Sequence, residues 1–169
     1  ERAGGPRDLP TGTALIGWRL LRGTCLWHPT VMLRRSVLAD VRYSADHVHA
    51  EDYELWLRLA RAGHAVDSLP EVLLQHRRHP GSVSGRHRAA QLDSAGRALA
   101  AHVQASLGLD LTVDQAAAVL DPAQWLRTGA APERSPVAVV LELERRFLGN
   151  ARARGEARAF GELRRAVRR

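Results

Sequence analysis

The alternation of apolar and polar positions changes character near residue 86. Upstream, short apolar runs are broken by Gly, Pro and charged residues; downstream, helix formers recur in long stretches. The clearest single element is predicted over residues 52–62. Leu55, Trp56, Leu59 and Ala60 fall at i, i+1, i+4 and i+5 on one face, Arg58 and Arg61 take the wet side, and Gly63 supplies a stop. Asp52 stands at the entrance of that helix with Glu51 beside it.

Two short strands are predicted next, at residues 65–69 and 72–76, separated by Pro70-Glu71. Residues 77–84 read as a loop turning at Pro80-Gly81. A third strand is predicted at residues 30–33, where Pro29 disfavours helix at His28 and Thr30-Val31-Met32-Leu33 suits a buried run. Residues 34–38 read as a short helix or turn and residues 41–49 as a loop leading to the acidic pair. The segment 14–22 has a period ambiguous between helix and strand and leans to helix. Residues 1–13, rich in Gly, Pro, Thr and Arg, read as a flexible lead-in. Beyond residue 86, helices are predicted over 88–107, 113–120, 122–126, 137–148 and 151–167, with Thr112 and Ser135 as caps and Pro136 in a first turn.

At 169 residues the chain suffices for one domain that buries about two-thirds of its unfolded surface. Its net charge of +7 points first to nucleic acid or an anionic membrane. All 25 basic residues are Arg, however, and Ala, Leu and Val dominate the apolar set, so coding bias accounts for the charge and nucleic acid is not expected as a partner. Glu156 and Glu162 interrupt the Arg-rich end, which reads as a solvated helix face. The single Cys25 forms no internal disulfide and is compatible with a reducing compartment. No apolar run approaches the ~18 residues of a membrane span, and residues 1–6 do not read as a signal peptide. A soluble cytoplasmic protein is expected, with membrane association left open. The Gly/Pro-rich opening without Met fits a piece of a longer protein.

Two chemistries suit Glu51-Asp52. Carboxylates at a helix start are stabilised by free N–H groups and the dipole, by about 0.3 to 1 kcal/mol. A carboxylate fixed on a rigid element can equally serve as a general base toward a hydroxyl. His47-Val48-His49-Ala50-Glu51-Asp52 is superficially similar to the HxHxDH motif of two-metal hydrolases. Glu51 and Asp52 stand in the wrong places and no long apolar strand precedes them, so a solvated loop is expected there and no metal site. His76-Arg77-Arg78-His79 with Ser82 and Ser84 is an anion-binding inventory, in which Arg forks match phosphate oxygens and Gly81 permits close backbone approach; a solvated basic loop is the alternative. Of the four tryptophans, Trp56 belongs to the apolar helix face and is expected in the core.

Several of these blocks occur together in a known order. The runs Pro29-Thr30-Val31-Met32-Leu33-Arg34-Arg35, Ala50-Glu51-Asp52-Tyr53-Glu54-Leu55-Trp56-Leu57-Arg58-Leu59, Leu69-Pro70-Glu71-Val72-Leu73 and His76-Arg77-Arg78-His79-Pro80-Gly81-Ser82-Val83-Ser84, followed by Gln91, resemble the C-terminal half of the glycosyltransferase family 2 catalytic domain. The resemblance covers roughly residues 24–92. It implies a GT-A fold, a Rossmann-like α/β sheet, and transfer of a sugar from a nucleotide-diphosphate donor to an acceptor hydroxyl with inversion. Asp52 would be the catalytic base, with Glu51 orienting the acceptor or tuning that base. Arg77, Arg78 and His79, with Ser82, would lie near the leaving nucleotide diphosphate.

The same resemblance implies a preceding donor-binding half whose Asp-x-Asp motif holds Mg²⁺ or Mn²⁺, and the chain contains no Asp-x-Asp. The expected fold class is therefore α/β but helix-rich. Residues 14–92 form part of a GT-A domain, and residues 93–169 form an α-helical extension. The implied partners are a nucleotide sugar, a glycan or lipid-linked acceptor, and a separate donor-binding half without which the fragment is expected to be inactive. The alternative is a non-catalytic helical module that binds another protein.

Overall fold

The computed structural model describes residues 9–75, 87–128 and 134–153, together with Gly161 and Arg165. In chain order these form α1 (Thr13–Leu20), a 3₁₀ turn (His28–Thr30), α2 (Val37–Asp40), α3 (Glu51–Arg61), α4 (Arg88–Leu107), α5 (Val113–Leu120), α6 (Pro122–Thr128) and α7 (Pro136–Ala153). Among the described residues there is no β-strand.

Helix α3 packs between α1 and α4. Its apolar stripe is wider than the spacing predicted, because Tyr53 and Leu57 are buried along with Leu55, Trp56 and Leu59. The Tyr53 hydroxyl donates to the Leu20 carbonyl at 2.6 Å, which ties α3 to the last turn of α1. Arg58 does not take the wet side alone. It is half-buried and grips the buried Glu54 carboxylate at 2.5 and 2.7 Å, while also donating to the Arg42 carbonyl. An ion pair one turn apart lets a polar pair enter the helix interface with its hydrogen bonds satisfied.

The C-terminal helices follow the local signals closely. Thr112 Oγ1 accepts the Gln115 N–H and Gln115 Oε1 accepts the Thr112 N–H, both at 3.1 Å, a reciprocal capping box at the start of α5. Ser135 Oγ accepts the Ala138 N–H at 3.2 Å, and Pro136 opens α7. Helix α4 ends at Gly108, whose φ of 59° is left-handed. Its last carbonyls are then closed from α7, where Arg146 Nη1 donates to Leu107 and Gly108 at 2.9 and 2.6 Å and Asn150 donates to Ser106 at 3.1 Å. Gly96 permits the approach of α4 to α5, since a Cβ there would lie 3.0 Å from the Val113 carbonyl oxygen. Leu99 and Val103 of α4 meet Val139 and Leu143 of α7 in one continuous core. The helix predicted over 137–148 runs from Pro136 through Ala153 and so takes in the start of the one predicted over 151–167, most of which lies outside the described residues.

The runs predicted as strands differ from expectation. At residues 28–30, Thr30 closes a 3₁₀ turn through its N–H and hydroxyl to the Trp27 carbonyl, each at 2.8 Å, and Val31 beyond it is extended. Met32 is 96% exposed. Residues 66 and 67 are held instead by the start of α1. Gly12 N–H donates to Asp67 Oδ1 at 2.6 Å, Thr13 Oγ1 donates to the Val66 carbonyl at 3.0 Å, and the Val66 N–H donates back to it at 3.1 Å. Residues 72–75 are irregular and exposed, and His76 lies outside the described residues. A strand satisfies its N–H and C=O groups only against a neighbouring strand, and none lies beside these runs among the described residues. No helix among the described residues is long and apolar enough to cross a membrane.

Candidate functional site

Glu51 and Asp52 are the first two residues of α3, and both are half-buried. The residue before them, Ala50, has no side chain able to cap the helix. Asp52 Oδ1 accepts the Tyr53 N–H at 2.7 Å, so one of the otherwise free N–H groups of the first turn is met by this carboxylate. The second carboxylate oxygen of Asp52 is not engaged in that bond.

The loop delivering this pair is fixed onto α4. His49 has φ 67°, a left-handed conformation uncommon for a residue other than glycine, and the Ala50 N–H donates to the His47 carbonyl at 3.0 Å. Neighbouring contacts over-determine that turn. His47 Nδ1 donates to the Ser94 carbonyl at 3.2 Å, and Gln91 Nε2 donates to the His49 carbonyl at 2.9 Å. The His49 and His87 rings stack with centroids 4.4 Å apart. His47 and His49 are thus occupied in holding the loop rather than free in solvent as the sequence suggested.

On the other flank, Tyr43 Oη and His28 Nε2 are hydrogen-bonded at 2.8 Å. His28 also meets the Trp56 ring edge-on, with centroids 5.9 Å apart. Trp56 lies one helical turn beyond Asp52 and on the same face. Tyr43 is 46% exposed. Its hydroxyl pKa is raised, first by partial burial and then by the negative charges of Asp52 and Glu51, which places Tyr43 within the field of the acidic pair. Arg58 fixes the preceding residue through the Arg42 carbonyl.

Between α3 and α4 lies a cavity of about 90 Å³ lined by His47, Glu54, Arg58, Arg61, Ala98 and His102. It is far below the roughly 300 to 1,000 Å³ of ligand pockets. His102 is 8% exposed, and burial, reinforced by Arg61, pulls its pKa down to about 4 against the opposing Leu57 carbonyl. Cys25 is half-buried, and burial pushes its thiol up to about 11, the behaviour of an inert packing cysteine.

Of the residues the sequence proposed, Asp52 and Glu51 share one helix entrance. Arg77, Arg78, His79 and Ser82 lie outside the described residues. Among the described residues no three His, Cys, Asp or Glu gather as metal ligands. His28 and Tyr43 escaped the sequence reading, and their fifteen-residue separation carries no local period by which to find them.

Curated proteins supply a comparison. The chain is 36% identical over 59 residues to the amylovoran biosynthesis glycosyltransferase AmsE of Erwinia amylovora, a match covering 35% of this chain and 22% of that protein. It is 37% identical over 57 residues to the O-antigen biosynthesis glycosyltransferase WbnJ of Escherichia coli, covering 32% of this chain and 22% of that protein. The relationship is to glycosyltransferases. The matches span about a fifth of the length of these relatives. No family model and no solved structure matches.

Proposed function

We propose that this chain is the acceptor side of an inverting, family 2-like glycosyltransferase, with Asp52 as the general base. The observation that carries the proposal is the Asp52 carboxylate, held at the first turn of α3 by the Tyr53 N–H while the loop before it is pinned to α4. The partial identity to two glycosyltransferases supports the reaction class.

In the proposed step, the acceptor hydroxyl gives its proton to Asp52 as its oxygen forms a bond to the anomeric carbon. The bond from that carbon to the diphosphate oxygen breaks, and the nucleotide diphosphate leaves with the electron pair from the opposite face. Glu51 orients the acceptor beside the base. Arg77, Arg78, His79 and Ser82 are assigned to the charge that develops on the departing diphosphate. The divalent metal belongs to the donor-binding half in this proposal, and no step here runs through it.

The GT-A assignment rests on the same proposal. In this reading the runs at residues 31–33 and 72–75, which are not strands here, would become strands when a donor-binding half supplies neighbours for their backbone groups. The site is assigned to the cytoplasm, or to the membrane surface where the acceptor is lipid-linked.

Reconstitution tests this directly. Mixed with a family 2 donor-binding half, a nucleotide sugar and Mn²⁺, the chain should restore transfer, and NMR of the product should show an inverted anomeric centre. A retained configuration would contradict the mechanism. A second reading, a non-catalytic interaction module, is favoured by the exposed Met32, Leu69, Val72 and Leu73. It predicts concentration-dependent association in sedimentation together with no transfer under any complementation.

A further inference from the structure

Tyr43 differs from the only other tyrosine in the chain. Tyr53 is buried with its hydroxyl spent on the Leu20 carbonyl, whereas Tyr43 keeps nearly half of its surface in solvent. It is nevertheless held at both ends. His28 bonds its hydroxyl, His28 in turn packs edge-on against the buried Trp56, and Arg58 holds the backbone at the preceding carbonyl. A fixed, half-exposed tyrosine thus stands, through His28 and Trp56, on the flank of α3 where Trp56 lies one turn beyond Asp52.

We propose that Tyr43 is the residue on which the acceptor lies, that His28 positions it, and that the acceptor is a saccharide whose ring packs on Tyr43 while one hydroxyl reaches Asp52. The proposal rests on the glycosyltransferase reading and names the acceptor class for that site. A sugar ring has an apolar C–H face and a rim of hydroxyls, and it needs an aromatic surface and carboxylate acceptors close together. A serine, threonine or simple alkyl alcohol supplies a hydroxyl without the apolar ring face, and leaves the Tyr43 ring uncovered. The raised pKa of Tyr43 is consistent with this placement, since it keeps the hydroxyl protonated and uncharged next to Asp52 and Glu51.

The two tyrosines allow a clean experiment. With ¹³C-labelled tyrosine, the chain gives ring signals from Tyr43 and Tyr53 alone, and Tyr53 reports on folding. The probes are the methyl glycosides of glucose, galactose and N-acetylglucosamine, with glycerol as a polyol lacking a ring. At least one glycoside should shift the Tyr43 signals saturably and leave Tyr53 unmoved, and glycerol should shift neither. His28→Ala should weaken that response several-fold, and His28→Gln, which keeps a hydrogen-bonding group toward Tyr43, should recover part of it. In a reconstituted enzyme His28→Ala should raise KM for the acceptor more than it lowers kcat.

Failure of Tyr43 to respond to any of the glycosides, or an equal response to glycerol, would overturn the proposal. Asp52→Asn separates it from the base assignment. If both stand, that variant keeps the Tyr43 shift and loses transfer. If Asp52→Asn keeps transfer while glycosides still shift Tyr43, the base assignment falls alone.

Discussion

Helix α3 and the run at residues 69–74 carry similar apolar side chains and meet opposite fates. Leu55, Trp56, Leu57 and Leu59 are all but sealed from solvent, whereas Leu69, Val72, Leu73 and Leu74 are exposed, Leu73 by 76%. A helix closes its own backbone hydrogen bonds, so its apolar stripe is free to seek any partner, and α1 and α4 are at hand. An extended run closes none of its own, so its side chains are buried only where a neighbouring strand is present. The proposed chemistry sits on the first kind of element. Asp52 and Glu51 are placed by a helix that packs without help, which is why the acid pair has a defined setting.

The largest effect should come from the buried side of that contrast. Trp56→Ala removes the ring that carries both the core and the His28 contact, and should cost about 3 to 5 kcal/mol in chemical denaturation. A loss below about 1 kcal/mol would mean that α3 is not packed as described.

The next effect is a pH dependence set between α3 and α4. His102 has a native pKa of about 4 against an ordinary 6.5, so between these values the unfolded state takes up a proton that the native state refuses. Stability should therefore fall as pH drops from about 6.5 to about 4, by an amount approaching about 3 kcal/mol, and His102→Leu should remove that part of the slope. An unchanged slope in the variant would place the pH dependence elsewhere.

Smaller still is the cap of α5. Thr112→Ala leaves the Gln115 N–H without its acceptor and should cost about 1 kcal/mol in the same denaturation experiment. At the bottom of the scale, Leu73→Ser should change stability by no more than about 0.5 kcal/mol, because its side chain is already in water. A cost comparable to that of Trp56→Ala would erase the distinction between the two regions.

The same contrast explains what could be read in advance. Residues 88–107 and 113–120 are helices over the predicted spans, since caps and apolar spacing are encoded within a few residues of where they act. The runs predicted as strands at 30–33, 65–69 and 72–76 are not strands among the described residues, because β-propensity does not specify a partner, and Thr30 and Asp67 spend their hydrogen bonds on Trp27 and Gly12 instead. In the site, the adjacent acids at a helix start were legible from the chain. The platform of His28, Tyr43 and Trp56 was not, because three separate segments meet only after α3 has packed. His49 illustrates a further limit: nothing local marks a histidine for a φ of 67°, which the contacts from Gln91 and His87 sustain.

The most direct measurement is the kcat/KM of the reconstituted transferase carrying Asp52→Asn, beside Glu51→Gln. If Asp52 takes the acceptor proton, its amide should lower kcat/KM by about 10²- to 10⁴-fold while Tyr43 still responds to glycosides, and Glu51→Gln should cost less. Transfer by Asp52→Asn at the wild-type rate would contradict the central claim.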